Sequence, residues 1–497
     1  MRQPIITAET VRLPQSPSKG GKIIEAAVYI LLTVFFAWAA VAEGVQLASG
    51  GVKSAAISLA MLLLIAAALW LTARAENKYK LSIGVILMIS AALRIAYVFL
   101  VPTVPSSDFS LLYNMALETA DGDFSWADVT EGYFALWRYQ IPFIAYEAVI
   151  IKLTHSIAAL KLMNVVWSVG ITALIAVIVS KFAPKRCALA SALLYAVHPG
   201  QIMFNSVLTN QHISMFFLLL GIYLLISAKN TWLIVLSGAA LAVGNMMRPE
   251  GIIIIAAAAC VMLCSFIERP GTRRLAELAL AFIILLAVYF LTQKAAELVL
   301  RLIGLAPYGI GNSAPEWKFI VGLNYETMGT LTSQDTYIMD IADSTQRHEE
   351  AMRVIKSYIE GNGNWAAFLY EKLKYFWISA EDCIFTLSGL YMNGSLAYED
   401  ITSALSHFEL VERFAAYALA GTGCAMLARK AGKREKSEAI MPLIAAAVIC
   451  GTAIIYLFIE IQPRYRYFAI PFVFMLAGFS ISRMTGKHKK DDKQKER

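Results

Sequence analysis

Ile141-Pro142-Phe143-Ile144-Ala145-Tyr146-Glu147-Ala148-Val149-Ile150-Ile151-Lys152-Leu153 is an apolar run of 13 residues interrupted by a proline, a glutamate and a lysine. As a helix it reaches about 20 Å, against the roughly 30 Å hydrocarbon core of a bilayer. It is too short to cross, and it reads as a juxtamembrane or re-entrant helix. A crossing here would invert every loop that follows, so the topology of the whole chain turns on it.

Elsewhere the apolar residues fall in blocks long enough to span, at about 24–46, 52–73, 80–102, 160–180, 187–204, 207–228, 231–247, 250–267, 276–302, 408–428, 439–459 and 466–484. With the N-terminus cytoplasmic, alternate loops collect Arg74/Lys78/Lys80, Lys181/Lys185/Arg186, Lys229, Arg269/Arg273/Arg274 and Arg429/Lys430/Lys433/Arg434/Lys436 on the inner side. Cations gathered at one membrane face are the positive-inside signal. The expected fold is an all-α polytopic membrane protein of about 12 transmembrane helices, multi-pass in the plasma (inner) membrane with both termini cytoplasmic.

Composition agrees. Of 497 residues 58% are hydrophobic and 16% charged, with a mean hydropathy of +0.60, whereas a soluble domain carries about a quarter charged residues. A water-soluble enzyme is excluded. The net charge of +7 resides in the inner loops and in the tail Lys487, Lys489, Lys490, Lys493, Lys495, Arg497, so no nucleic-acid partner is expected. Of the six cysteines, Cys187, Cys260, Cys264, Cys424 and Cys450 fall in or at the inner ends of membrane segments and only Cys383 faces outside, so no structural disulfide is expected.

The organisation that follows is a basic leader over 1–23 before an uncleaved anchor, a bundle over 24–302 that includes an acidic outer loop at 103–159, a large outer region at 303–407, C-terminal helices over 408–484, and a basic tail at 485–497. No repeat of 20 to 50 residues and no paired broken helices appear. The region 303–407 opens with the turn-rich stretches Pro307-Tyr308-Gly309-Ile310-Gly311-Asn312 and 322–329. Two helical patterns follow, about 345–360 and 365–379; in the second, Trp365, Phe368, Leu369, Leu373, Phe376 and Trp377 share a face, with Glu371, Lys372 and Lys374 on others. Such a helix either lies in the membrane interface or packs on the bundle.

Candidate chemistry concentrates on the outer side. Asp108 stands just after the third span, at the start of the helical run 109–120. It reads either as an N-cap or as a general base where a lipid-borne electrophile meets an acceptor, and one residue can do both. Asp121-Gly122-Asp123 reads as an ordinary turn or as hard oxygen ligands for magnesium or manganese. No zinc spacing, P-loop or dinucleotide fingerprint is present. His198-Pro199, Asn205, Arg248-Pro249-Glu250 and Glu460-Ile461-Gln462-Pro463-Arg464-Tyr465-Arg466 lie at outward helix ends. Arg248, Arg464 and Arg466 break the charge pattern there; pairing with Glu250 and Glu460, snorkelling to headgroups, or holding a phosphate bidentately each explains them.

These residues resemble a family. Ser107-Asp108 with Tyr113, the entry Tyr139-Gln140-Ile141-Pro142 to a short helix, His198-Pro199, Arg248-Pro249 and Gln462-Pro463-Arg464-Tyr465 look like the GT-C glycosyltransferases, and more narrowly the bacterial protein-mannosyltransferase and aminoarabinose-transferase branch, over about 80–484. The resemblance implies inverting transfer of a sugar from a polyprenyl-phosphate carrier to a lipid, glycan or protein acceptor on the outer face. It implies Asp108 as the catalytic base and Arg248 and Arg464 as holders of the donor phosphate; the charge pattern adds Arg466 to the phosphate holders, and Tyr113, His198, Asn205, Glu460 and Tyr465 are the candidate donor or acceptor contacts. Membrane lipids are the surrounding partners, and a divalent cation at Asp121 and Asp123 is the one cofactor admitted. Two departures stand out: Asp108 is followed by Phe109 where many relatives carry a second acid, and Thr209-Asn210-Gln211-His212 occupies a place that is often acidic. The alternatives are a transporter or flippase of a lipid-linked saccharide, for which Arg94 is the clear mid-helix charge, and a polysaccharide polymerase or ligase.

Overall fold

The computed structural model describes residues 19–101, 103–268, 271–378, 397–431 and 440–483. Residues 1–18 of the N-terminal leader, the C-terminal tail and Cys383 lie outside them, as do Arg269, Lys433, Arg434 and Lys436. Among the described residues every regular element is helical, and the only extended pairing is an isolated antiparallel bridge between Trp137 and Asn312.

Five helical runs are long and apolar enough to cross a membrane: Gly20–Ser49, Gly51–Leu100, Ile157–Ser180, Leu275–Leu302 and Met441–Phe458. A sixth arises if the bent pair Lys185–Val197 and Pro199–Ser206 is one span, and Gln211–Ile226, Thr231–Met247, Gly251–Cys264 and Ile470–Ile481 are shorter apolar helices. The expected count of 12 is not reached on length and composition. One reason is that Gly51–Leu100 is a single run in which one 3-10 turn, Ala75–Lys78, joins two expected spans. Another is that the last block opens with the 3-10 turn Pro463–Phe468, which leaves only Ile470–Gly478 as α-helix. The block near 408–428 lies inside a 34-residue helix, Ala397–Lys430.

The expected single helix at 187–204 is broken. The chain bends by 58° at His198-Pro199, because proline offers no N–H and pushes the residue before it out of the helical region. The carbonyls freed there need donors in an apolar setting, and Arg94 supplies them: Nη1 donates to Ala196 O at 2.8 Å and Nη2 to Tyr195 O at 3.2 Å. The mid-helix charge of Arg94 is thus a plug for a helix break.

At one end of the bundle the two loop regions dock on each other. Ile141–Thr154, 14 residues long, packs against Ser107–Asp121 around Leu112, Ala116, Ile144 and Ala148. Lys161 Nζ donates to Thr103 O at 2.7 Å, and Thr103 Oγ1 to Ser206 O at 2.7 Å, which fixes where the first loop leaves the bundle. The Trp137–Asn312 bridge, a bond from Ser313 N to Leu136 O, and Arg138 stacked 4.9 Å from the Tyr308 ring join the first loop to the second.

Both amphipathic helices form, at Ser344–Gly361 and Trp365–Ile378. The second packs on the bundle: Trp377 meets Phe35 at 5.2 Å and Phe376 stacks on Tyr456 at 4.8 Å. Lys372, expected on another face, is buried with them, because carbonyl oxygens await its ammonium at the far side of the contact.

Candidate functional site

The site is built on the stretch Ile459–Tyr465, which leaves helix Ile440–Phe458 in extended form before turning into Pro463–Phe468. Glu460 N donates to Lys318 O at 2.8 Å and Ile461 N to Gly329 O at 2.9 Å. Gly322 lies so close to the backbone of Phe458 and Ile459 that any side chain there would overlap it. The short helix Trp317–Leu323 is therefore held backbone to backbone against this stretch, and Lys318 meets the Glu460 carboxylate.

Tyr465 is the centre. Arg248 Cζ lies 5.1 Å from its ring centroid, Lys318 Nζ 5.5 Å and Arg464 Cζ 5.6 Å, so three cations surround one aromatic ring. Two carboxylates face them. Glu460, besides Lys318, accepts from Gln462 Nε2 at 2.6 Å. Glu250 lies 3.7 Å from Arg248 Nε and accepts from Tyr456 OH at 2.8 Å. Arg248 also donates to Asn210 Oδ1 at 3.4 Å, and Gln211 Nε2 donates to the Arg464 carbonyl at 3.0 Å. Three cations against two carboxylates leave one positive charge over. The side chains of Arg248 and Lys318 are 19% and 37% exposed, so an anion can reach them.

Electrostatics keep the cluster charged. Burial works to lower the Lys318 ammonium, but Tyr465 and Glu460 outweigh it and hold it above the ordinary lysine value. Burial likewise works against the Glu460 carboxylate, which Lys318 first, then Gln462 and Arg464, hold below its usual range.

The first loop also reaches this cluster: the Phe109 ring lies 5.4 Å from Arg464 Cζ, in the first turn of the helix that carries Asp108. Asp108 is exposed, in the first turn of Ser107–Asp121, and it is Ser106, with extended backbone, that takes the N-cap position. Ser107 adopts φ +52°, a left-handed conformation that a non-glycine residue rarely takes. Burial and then the charge of Asp108 push the Tyr133 phenol up, and Lys318 partly offsets them. Tyr139, raised by burial, is drawn back by Lys318 and Arg248. Tyr139 also lines a cleft of about 460 Å³ with Asn245, Tyr289, Gln293, Lys294, Glu297, Tyr308 and Pro249, the residue after Arg248.

The remaining expected residues lie apart from the cluster. Arg466 is fully buried and donates to Trp377 O at 2.8 Å and to Pro463 O. His198 Nδ1 pairs with Glu412 at 2.7 Å inside the bundle. Asn205 Nδ2 donates to Gln201 O at 2.6 Å and ties off the broken helix. Tyr113 is half-buried against Ile141–Thr154, its phenol raised by burial and then by Glu147. Asp121 closes its helix before Gly122 at φ +93°, and Asp123 Oδ1 accepts from Ser125 N at 2.9 Å. No third His, Cys, Asp or Glu joins these two among the described residues.

Lys318 and Tyr139 are members that sequence reasoning did not assign to the site. Lys318 carries the same signal as Arg248, a cation on the side expected to lack them.

No protein-family model and no curated protein matches the chain. Among solved structures, the chain is similar to the crystal structure of the Archaeoglobus fulgidus oligosaccharyltransferase in the apo form, with a TM-score of 0.43 and 13% identity over 83% of this chain and 52% of that one. The chain spans about half the length of that protein. A likeness of this degree decides neither family nor activity.

Proposed function

We propose that the protein is a membrane-bound, inverting glycosyltransferase that moves a sugar from a polyprenyl-phosphate carrier to an acceptor hydroxyl on the outer face of the plasma (inner) membrane. The observation that carries this is the ring of Arg248, Lys318 and Arg464 around Tyr465, one positive charge in surplus and open to an anion, with the exposed Asp108 next in the chain to Phe109, whose ring meets Arg464.

Asp108 takes the proton from the acceptor hydroxyl, whose oxygen attacks the anomeric carbon from the face opposite the phosphate. The bond between that carbon and the phosphate oxygen breaks, and its electron pair leaves with the phosphate, whose charge rises from about −1 to about −2. That leaving group needs little protonation and strong electrostatic stabilisation, which fixed guanidinium and ammonium groups supply without reorganising. Aromatic and amide side chains in the cleft that Tyr139 and Pro249 line suit the donor next to its phosphate.

Transfer of labelled sugar from a panel of polyprenyl-phosphate sugars to membrane acceptors tests the proposal. Wild-type protein transfers label from at least one donor as a single addition. A ladder of products turns the assignment to the polymerase, and lipid movement across liposomes without transfer turns it to the transporter.

A further inference from the structure

Lys372 sits on Trp365–Ile378 with no exposed surface. A lysine buried to that degree without purpose is disfavoured, since its ammonium must be desolvated. Its Nζ donates to two main-chain carbonyls, Gly322 O and, at 2.8 Å, Ile459 O, and the Phe368 ring lies 5.6 Å away. The surroundings are shaped for it. At Gly329, where φ is +77°, a Cβ would stand 2.7 Å from both Cε and Nζ of Lys372, so glycine there both permits the turn and leaves room for the ammonium.

The two carbonyls belong to the two strands of backbone that make the site. Gly322 lies one helical turn after Lys318, and Ile459 immediately precedes Glu460. We propose that Lys372 is the positioning residue of the cation cluster: it ties the segment carrying Lys318 to the segment carrying Glu460 and so sets that ion pair against Tyr465. This rests on the phosphate role of the cluster given above. Burial draws the Lys372 ammonium down to about 7, with Glu460 partly offsetting it.

The test reads the ion pair itself. Full-length protein in lipid nanodiscs is treated with an amine-acylating reagent at pH 8, and modification of Lys318 is compared by mass spectrometry with that of Lys356, which lies on Ser344–Gly361 outside the spans and is 74% exposed. In the wild type, Lys318 reacts at least about tenfold more slowly than Lys356, the effect of one unit of pKa on the free-amine fraction. Lys372→Met raises Lys318 modification severalfold and leaves Lys356 unchanged, while Lys372→Arg, which keeps N–H donors for the two carbonyls, stays near wild type. Lys374→Met, on the exposed face of the same helix, changes nothing.

Wild-type reactivity of Lys318 in a folded Lys372→Met overturns the proposal. If that variant does not fold, Gly329→Ala crowds the ammonium instead, and unaltered Lys318 reactivity there overturns it equally. Added polyprenyl phosphate separates the two claims: if it fails to protect wild-type Lys318 while the Lys372→Met effect holds, the phosphate role falls and the positioning role stands.

Discussion

Two charged clusters in this protein use the same residue types to opposite ends. Inside the bundle Arg413 donates from Nε to Glu43 at 2.8 Å and from Nη1 to Glu409 at 2.9 Å, and all three side chains are sealed from solvent. One guanidinium faces two carboxylates, and nothing can enter. Around Tyr465, three cations face two carboxylates, and Arg248 and Lys318 stay partly open. A buried or outer-face arginine is therefore no sign of a ligand site in itself. Surplus charge and access separate the site from the strut.

Breaking the closed cluster gives the largest expected effect. Arg413→Met strands Glu43 and Glu409 in an apolar setting and lowers stability by roughly 3–5 kcal/mol. A thermal melt reads the loss, while transfer per folded molecule is kept. Breaking the open cluster does the reverse: Arg248→Met or Arg464→Met lowers transfer by about 10²–10³-fold, the loss typical of one removed electrostatic donor, with the melting midpoint little changed. Lys318→Met, which removes a cation whose side chain is 37% exposed, lowers transfer by about tenfold in steady-state kinetics.

The smallest effect sharpens the contrast with a third buried acid. Among the described residues one Glu147 oxygen has no hydrogen-bond partner, and burial raises its carboxyl well above the ordinary value. A folded value above the unfolded one means stability that is whole below about pH 4 and is lost as pH rises through the folded value. Glu147→Gln, which cannot ionise, therefore melts higher than wild type at pH 8, and the difference closes on acidification toward pH 4.

Much of this was legible in the sequence. Apolar blocks mark helices because burial of their side chains is what forms them, and 365–379 was readable from its face of Phe368, Phe376 and Trp377. Hydropathy, however, averages across Pro199 and is blind to a lost N–H, so the 58° bend was not. Arg464 and Arg466 look equivalent in sequence. In the 3-10 turn Pro463–Phe468, with about three residues per turn, they point different ways, one to Phe109 and the other to Trp377 O. Glu43 and Arg413 are 370 residues apart, so no local pattern announces their pairing. Neither does any pattern link Lys318 to Glu460, whose meeting depends on the backbone contact at Gly322.

The central claim is that Asp108 and the Tyr465 cluster together transfer a sugar from a lipid phosphate. The most direct measurement is label transfer from polyprenyl-phosphate sugars by wild-type and Asp108→Asn protein, each shown to be folded and inserted in the membrane. The account predicts transfer by the wild type and its loss in Asp108→Asn; full transfer by the variant, or none by the wild type with any donor, contradicts it.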